Sequence, residues 1–598
     1  MKILPAIFLF ILLQWPLSGQ TGKKIIILHT NDLHSRLMGY APESAYTPLT
    51  VDDDYTKGGF ARIASVILGE KKNNKESTLV LDAGDFTMGT LFTSLETKTG
   101  FQLRLMKEMG YDVLAFGNHE FDYGPEWIAS VIRTSANKGE IPCLIAGNMI
   151  FDKKDKRDDS FEKLITEKII TRKKIVYRDG VKIGIFSLLG KDAASVAPNA
   201  APVKFTKQTA YASKMVNELK SDTCDLIICL SHSGAGYGKN GELTGEDIDL
   251  AEAVKGIDLI VGGHSHTKIT DPQVVNGTII LQTGEFGKNV GRLELDLSGE
   301  KVRISDYRLI PVDDRIQGDG NITQLIEAQK IMITDEILVP LGIQYGSPVA
   351  EADVIIKGND TGDYINSNLG PLVADAIHYY VNGYSPKGTD VSMVAAGMLF
   401  DNITPGIQAA PDIFRVMPLG SGKDNVPGYP LSRLYINGKE LKSILEILLV
   451  SYKTAPANYC YYSGIRVSYL PDKGLFRKIR KIEIIKDDGS AVNVDFSKKN
   501  NALYSVTADS YMLEFIGIIK KMSFGLINIV PKDENGKKLA DMKMAVIDFD
   551  PQKEGIQEGK EWLALMKYLG SMKDTNGNGI PNIDRKYDVP VTGFVKLN

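Results

Sequence analysis

The sequence predicts an α/β protein in two parts, and three observations predict it. Short β-branched runs alternate with longer amphipathic stretches from residue 23 to about 312, a helical segment rich in Ile, Glu, Gln and Lys follows, and a second series of runs begins at about 347. At 598 residues the chain is too long for one hydrophobic core. We divide it into residues 1–20, a first domain over 21–318, a helical connector over 319–346 and a second domain over 347–598. A hydrophobic content of 43% and a charged content of 24% lie near the averages of soluble globular proteins, which argues against disorder and coiled coil. The formal net charge of −4 offers no basic field for a nucleic acid polymer or an anionic membrane, so an anionic ligand must be held by local cations.

The first element is a short apolar run. Lys2 precedes Ile3 to Leu13, and Pro16, Ser18 and small residues follow, which is the pattern of a secretory signal peptide cleaved between Gly19 and Gly22. The competing reading, an N-terminal membrane anchor, would need ~20 apolar residues. The expectation is therefore an exported protein, periplasmic or extracellular, without stable membrane insertion after cleavage.

Strands are expected at KIIIL (24–28), LVLD (79–82), VLAF (113–116), LIA (144–146), KIGIFSLL (182–189), DLIICL (225–230) and DLIVG (258–262), with helices at FARIASVILGEKK and YASKMVNELKS. TIILQTG and GRLELDLSG read as strands of a further sheet, and residues 321–341 as the connector helix. In the second domain VSMVAAG, LSRLYING and RKIEIIKDDG read as strands. LYINGKELKSILEILL reads as a strand, an Asn-Gly turn and a helix with Leu441, Ile444, Leu445, Ile447 and Leu448 on its apolar side. The four cysteines are too few for a disulfide scaffold, and buried free thiols are expected.

The chemistry lies just past the strands. Asp32 and His34 follow KIIIL, Asp85 follows LVLD, Asn118, His119 and Glu120 follow VLAF, His232 follows LIICL, and His264 and His266 follow DLIVG. Open α/β sheets place their sites beyond the carboxyl ends of strands. Of the seven histidines, five lie in these turns, which scattered surface histidines would not do; His29 and His378 read as structural. Asp32 and His34 are two apart, so in extended chain both face one side. A set of carboxylate, imidazole and carboxamide without thiolate suits Zn, Mn, Fe or Co. Two such ions about 3.5–4 Å apart would need a bridging carboxylate, for which Asp85 is the natural choice, and would turn a bound water into a nucleophile for in-line attack on phosphorus.

The strings ILHTNDLH, GGFARI, LVLDAGD, AFGNHEFDYG, LSHSG and VGGHSHT resemble the motif blocks of the secreted 5′-nucleotidase and UDP-sugar hydrolase family, a branch of the calcineurin-like metallophosphoesterases. The resemblance implies a metallophosphoesterase β-sandwich flanked by helices, followed by a separate α/β substrate-binding domain. By motif it implies Asp32, His34 and His266 at one metal, Asn118, His232 and His264 at the other, and Asp85 at both. It also implies that His119 acts on the transition-state oxygens or the leaving group, with Asp122 orienting it; the competing reading of Asp122 is a turn cap before Pro125. Gly58 and Gly59, and likewise Asn148, have plain structural readings as helix entry and turn residue.

From about residue 364, SNLGPLVADA, DIFRVMPLG, INGKELKSIL and YSGIRVSY are similar to the nucleotide-binding domain of the same family, but its binding residues are mostly replaced. Phe400 and Asn368 stand where arginines are expected, and Leu419 where one base-stacking ring is expected. Tyr511 would supply the other ring. Arg415, Lys423, Arg466, Tyr461 and Tyr462 are the candidates for compensation. Near the end, Asp574, Asn576, Asn578 and Gly579 occupy positions one, three, five and six of a pattern similar to short calcium loops, against which stands a simple Asn/Gly turn. The leading expectation is a dinuclear phosphoester hydrolase of 5′-nucleotidase type acting on a small-molecule phosphoester. The alternatives are the same chemistry on a nucleotide-sugar, cyclic nucleotide or non-nucleotide ester, and a non-catalytic exported binding protein.

Overall fold

The computed structural model describes residues 23–597 apart from 300, 359–365, 452–458, 475, 487, 498, 515–528 and 591–593. The expected signal segment lies outside the described residues.

The first domain packs two mixed sheets face to face. One sheet has the order Arg303–Pro311, Asn289–Asp296, Lys24–Thr30, Thr78–Asp82, Val113–Ala115, Cys143–Ile145, Ile170–Thr171. The other has the order Gln273–Val275, Thr278–Leu281, Leu259–Gly262, Leu226–His232, Val181–Leu189, Lys173–Arg178. Strand alternation builds the layers. Ile25, Ile27, Leu79 and Leu81 face Ile183, Ile185, Ile228, Leu230 and Val261 between the sheets. Ile26, Leu28 and Val80 face outward onto Phe60, Ile63 and Ile67 of the helix Phe60–Asn74. On the far side Phe186, Ile227 and Ile260 meet Met215 and Leu219 of the helix Gln208–Ser221. Helices therefore cover both outer faces, and strands buried on both sides read as unbroken apolar runs.

TIILQTG and GRLELDLSG do not make a further sheet. Thr278–Leu281 runs parallel to Leu259–Gly262 in the second sheet, and Asn289–Asp296 runs antiparallel to Lys24–Thr30 in the first. Both complete existing layers: Thr278–Leu281 is buried throughout, and Asn289–Asp296 turns Leu293 and Leu295 to the core between the sheets while Arg292 on its other face pairs with Glu70. The connector is helical from Gly320 to Ile333, with the Asp319 carboxylate accepting the Ile322 N–H at its start.

The second domain carries a sheet of order Leu431–Asn437, Leu503–Asp509, Val391–Ala395, Cys460–Ser463, with the helices Leu369–Tyr384, Gly438–Ser451 and Glu561–Gly570 beside it. Asn437-Gly438 makes no separate turn between strand and helix. The strand runs straight into the helix, and Asn437 and Glu440 exchange side-chain and backbone bonds, both 2.9 Å, as a capping pair. None of the four cysteines is disulfide-bonded, Cys229 and Cys460 lying buried and Cys143 and Cys224 half-buried.

The domains are tied by buried charge. Arg36 of the first domain pairs with Asp401 of the second, and Arg415 sits 3.5 Å from the same carboxylate and 3.2 Å from Asp412. Arg415 also donates to the Ala41 carbonyl, and Asp412 accepts the Glu43 N–H at 2.8 Å. Arg415, a candidate for compensation in the sequence, is thus turned to carboxylates and a carbonyl at the interface. Because removing one member of a buried pair strands the other, Asp401→Ala should lower stability by ~3–5 kcal/mol. A urea melt showing an unchanged midpoint would contradict this.

Candidate dinuclear metal centre

The parallel register of Lys24–Thr30 and Thr78–Asp82, with Thr30 opposite Asp82, brings both chains off the sheet at one edge. The second sheet ends beside it, with His232 as the last residue of its strand and His264 and His266 just beyond Gly262. Asp32, His34 and Asp85 are fully buried or nearly so.

The extended geometry expected for Asp32 and His34 is not what folds. Asp32, His34, Asp85, His264 and His266 all have left-handed backbone, with φ of 52°, 49°, 56°, 77° and 54°. Turning the chain this way lets the loop after residue 30 run along the loop after residue 82, with the Asp32 N–H donating to the Gly84 carbonyl (3.0 Å) and the His34 N–H to that of Asp85 (2.9 Å). Each such non-glycine residue costs on the order of 1–3 kcal/mol and persists only where its surroundings over-determine it. Gly84 and Gly117 permit the close approach. A Cβ on Gly84 would lie 2.5 Å from the Gly117 nitrogen, and one on Gly117 would strike the Asp85 carboxylate.

Two groups of donors result: Asp32, His34 and His266, and Asp32, Asp85 and His232, the ligand atoms within each lying within 4.8 Å of one another. His266 Nε2 is 3.3 Å from Asp32 Oδ1, His232 Nε2 is 3.0 Å from Asp85 Oδ2, and Asn118 Oδ1 is 3.1 Å from His232 Nε2. The set fits cations. Nε2 of His34 and Nε2 of His266 are 3.2 Å apart, where two lone pairs repel unless a proton or a cation stands between them. Burial pushes the Asp85 carboxyl upward, but His232 and His119 outweigh it and hold it well below the usual carboxylate range. His264 joins less directly: its ring lies 5.3 Å from that of His232, and its Nε2 is turned to Asp192 at 3.2 Å, while its N–H donates to both oxygens of Asp32.

His119 follows Asn118, and its Nδ1 lies 2.8 Å from Asp122 Oδ2, so the carboxylate fixes the ring and leaves Nε2 for the site. Asp122 is thereby more than a turn cap. Burial works against the imidazolium, yet Asp122 and Asp85 outweigh it and raise His119 to about 9.

The structure gives Glu120, Phe400 and Tyr511 contacts that the sequence did not assign, and adds Glu285 and Tyr429. Glu120, buried, accepts N–H bonds from Asp85 (2.9 Å), Thr87 (2.9 Å) and Gly117 (2.6 Å) and so holds the two ligand loops together. Glu285 lies 2.9 Å from Nδ1 of His266; it follows TIILQTG, a strand end like the others, and this was the available signal. Phe400 reaches over from the second domain, its ring 5.0 Å from that of His34 and 5.7 Å from that of His119. Tyr511 stacks on Tyr429, ring centres 5.4 Å apart and 20° between planes. The ring beside Tyr511 is thus Tyr429, ten residues beyond Leu419, the position at which the family resemblance puts a ring.

Other candidates are structural. Asn148 donates to the Leu189 and Thr206 carbonyls and accepts the Leu189 N–H. Gly59 opens a helix where Tyr46 leaves no room for a side chain. His29 is buried in the sheet, and His378 bonds to Asn382 in the second domain. Asn368 spans the Lys357 N–H and the Tyr587 carbonyl.

Comparison with known proteins agrees with this layout. The calcineurin-like phosphoesterase family matches residues 25–268, and the 5′-nucleotidase C-terminal domain matches residues 348–517. The chain is 25% identical over 504 residues to the trifunctional nucleotide phosphoesterase protein YfkN of Bacillus subtilis (strain 168), an alignment covering 79% of this chain and 31% of that protein. The chain thus spans about a third, 31%, of that relative's own length. It is 25% identical over 490 residues to the 5′-nucleotidase of Vibrio vulnificus (strain CMCP6), covering 75% of this chain and 80% of that one. The crystal structure of the 5′-nucleotidase precursor from Thermus thermophilus aligns over 96% of this chain and 99% of its own, with a TM-score of 0.65 at 22% identity, which shows the shared fold.

Carboxylates that orient a ligating imidazole typically change metal affinity 10–100-fold when removed. Glu285→Gln should therefore weaken metal binding by about that factor, measured as metal retained after dialysis against graded chelator. Retention equal to that of the unmodified protein would show that Glu285 does not orient His266.

Proposed function

We propose that this chain, which belongs to the family joining a calcineurin-like phosphoesterase domain to a 5′-nucleotidase C-terminal domain, is an exported hydrolase that releases phosphate from nucleotides. It is a metallophosphoesterase hydrolase. The observation that carries the finer reading is the pair of donor groups sharing the buried Asp32 beside a carboxylate-oriented imidazole that belongs to neither.

In this reading Asp32, His34 and His266 hold one divalent ion, Asn118, His232 and His264 the other, and Asp85 both. Two such ions, Zn, Mn, Fe or Co, would polarise the phosphoryl oxygens and acidify the attacking water. His119, held by Asp122, donates through Nε2 to the transition-state oxygens or the leaving group. Glu120 and Glu285 keep Asp85 and His266 in place. Tyr511 and Tyr429 offer the faces on which a base stacks, a contact worth ~1–3 kcal/mol per base. Their stacking on each other means that a base must part the rings to enter. A nucleotide-sugar, cyclic nucleotide or other ester is the second reading, favoured by Phe400 and Asn368 at positions where the family resemblance puts arginines. Export rests on the pattern in residues 1–20, and no helix among the described residues is long and apolar enough to cross a membrane.

We further propose a separate calcium site in the terminal loop. Asp574 accepts N–H bonds from Gly577 (2.7 Å) and Gly579 (2.8 Å), while the side-chain amides of Asn576, Asn578 and Asn582 converge on Glu351 Oε2 at 2.8, 2.8 and 3.3 Å. Position twelve of the loop is Arg585, and Glu351 brings the carboxylate from a strand far away in the chain. Calorimetry with Ca²⁺ alone should show binding that Glu351→Gln weakens at least tenfold; no heat from the unmodified protein would leave the loop an Asn/Gly turn.

Turnover of a phosphoester panel (AMP, GMP, CMP, UMP, ribose 5-phosphate and a UDP-sugar) with each metal tests the main reading. His119→Ala should retain both metals and lose ~10²–10⁴ in kcat, whereas Asp85→Asn should lose metal and activity together. Loss of a metal in His119→Ala would make His119 a ligand, and full activity in Asp85→Asn would remove the bridge.

A further inference from the structure

The second domain meets the metal centre with an aromatic ring. Phe400 packs edge-on against His34 and His119 and lies 6.2 Å from Phe286, which itself packs against His34 at 5.6 Å and His266 at 5.8 Å. One wall of the site is therefore a continuous apolar surface made by both domains. The loop beneath is equally close. A Cβ on Gly89 would lie 3.3 Å from Phe400 Cε1 and 2.7 Å from the His34 carbonyl oxygen.

This ring cannot withdraw easily. The Phe400 N–H donates to the Val416 carbonyl at 2.9 Å, and the next residue is Asp401, held by Arg36 and Arg415 in the buried network between the domains. Those two guanidinium groups are turned to carboxylates: Arg36 to Asp401 while lying 4.5 Å over the Phe286 ring, and Arg415 to Asp401 and Asp412. The third cation at this wall, Lys288, lies 5.1 Å over the Phe286 ring and is paired with Glu285 at 2.8 Å, so each of these charges faces a carboxylate and the Phe400 ring presented beside His119 is hydrocarbon.

Resting on the phosphoester hydrolysis proposed above, we infer that Phe400 is a specificity-determining residue that confines the enzyme to esters with no second anionic group next to the scissile phosphoryl. The substrate class is monophosphate esters, and nucleoside di- and triphosphates are rejected. In a monophosphate the leaving oxygen that His119 serves is bonded to carbon, and the sugar or other carbon skeleton packs on Phe400. In a diphosphate the leaving oxygen is bonded to a second phosphorus, whose oxygens would be desolvated against the ring without a partner. A buried anion without a counter-charge is among the costliest things a site can hold. Hydrolysis itself is the same in both cases: water's oxygen bonds to phosphorus, the bond to the leaving oxygen breaks, and that oxygen takes a proton.

The test is kcat/KM for AMP, ADP and ATP with the metal-loaded full chain, the Phe400→Ser variant and the Phe400→Arg variant, each checked for metal content and thermal midpoint. The unmodified enzyme should prefer AMP over ADP by about 100-fold, the discrimination expected when a charged group is left without its hydrogen-bond partner. Phe400→Arg should shrink that ratio at least tenfold by raising ADP turnover, and Phe400→Ser, which admits water to the wall, should shrink it less. AMP and ADP turned over within about threefold of each other by the unmodified enzyme, or a ratio unmoved in both folded variants, would overturn the inference while leaving phosphoester hydrolysis standing. Should the arginine variant not fold, the serine variant and the unmodified ratio decide. No turnover of any phosphoester in the wider panel would instead defeat the function on which the inference rests.

Discussion

Two buried carboxylates, Asp32 and Asp85, share one volume at the edge of two sheets, and the rest of the molecule is arranged around that concentration of charge. Left alone they would repel each other in a low-dielectric interior and take up protons. They stay ionised because imidazoles surround them: His232 stands 3.0 Å from Asp85, and His266 3.3 Å from Asp32. Both imidazoles are raised to about 10, with burial opposing the shift and Asp85 and Asp32 in turn overcoming it. Divalent cations would meet the same electrostatic need with their own charge. The donor set is thus a response to a physical problem as well as a catalytic device.

Holding such a cluster requires backbone that extended strands cannot provide. Left-handed residues at five of the ligand candidates bend each loop inward immediately after its strand. That strain is offset by a dense frame: Glu120 ties the loops of Asp85 and Gly117, the Ala83 carbonyl accepts from His232 Nδ1 at 2.9 Å, and Glu285 fixes His266. Two sheets with a largely apolar interface, each covered by helices on its outer face, supply the rigidity against which the loops are pinned. Chemistry here depends on packing many residues away from the reacting atoms.

The second domain is joined to this centre by charge and completes it with aromatic rings. Asp401 anchors Arg36 and Arg415, and its neighbour Phe400 is carried to the imidazoles of His34 and His119. Tyr429 and Tyr511 stack on the same domain. In the proposed reading, substrate selection belongs to side chains from segments hundreds of residues from the candidate metal ligands in sequence.

The sequence by itself determined the layered α/β architecture of the first domain and the residues that gather at its edge. Apolar runs buried on both faces mark strands, and polar ligands placed directly after each run can only collect where parallel strands end together. It also marked the His119–Asp122 pair, three residues apart. What tertiary structure decided was the backbone hand of the Asp32 and His34 loop, the sheets joined by residues 278–281 and 289–296, the conversion of Asn437-Gly438 from turn to helix cap, and the neighbours Glu120, Glu285, Phe400, Tyr429 and Glu351. These depend on contacts between segments distant in the chain, for which local periodicity and spacing carry no signal. A carboxylate three residues from an imidazole is written in the sequence, whereas a ring set against that imidazole from 281 positions away exists only once the buried ion pairs have closed the domains on each other.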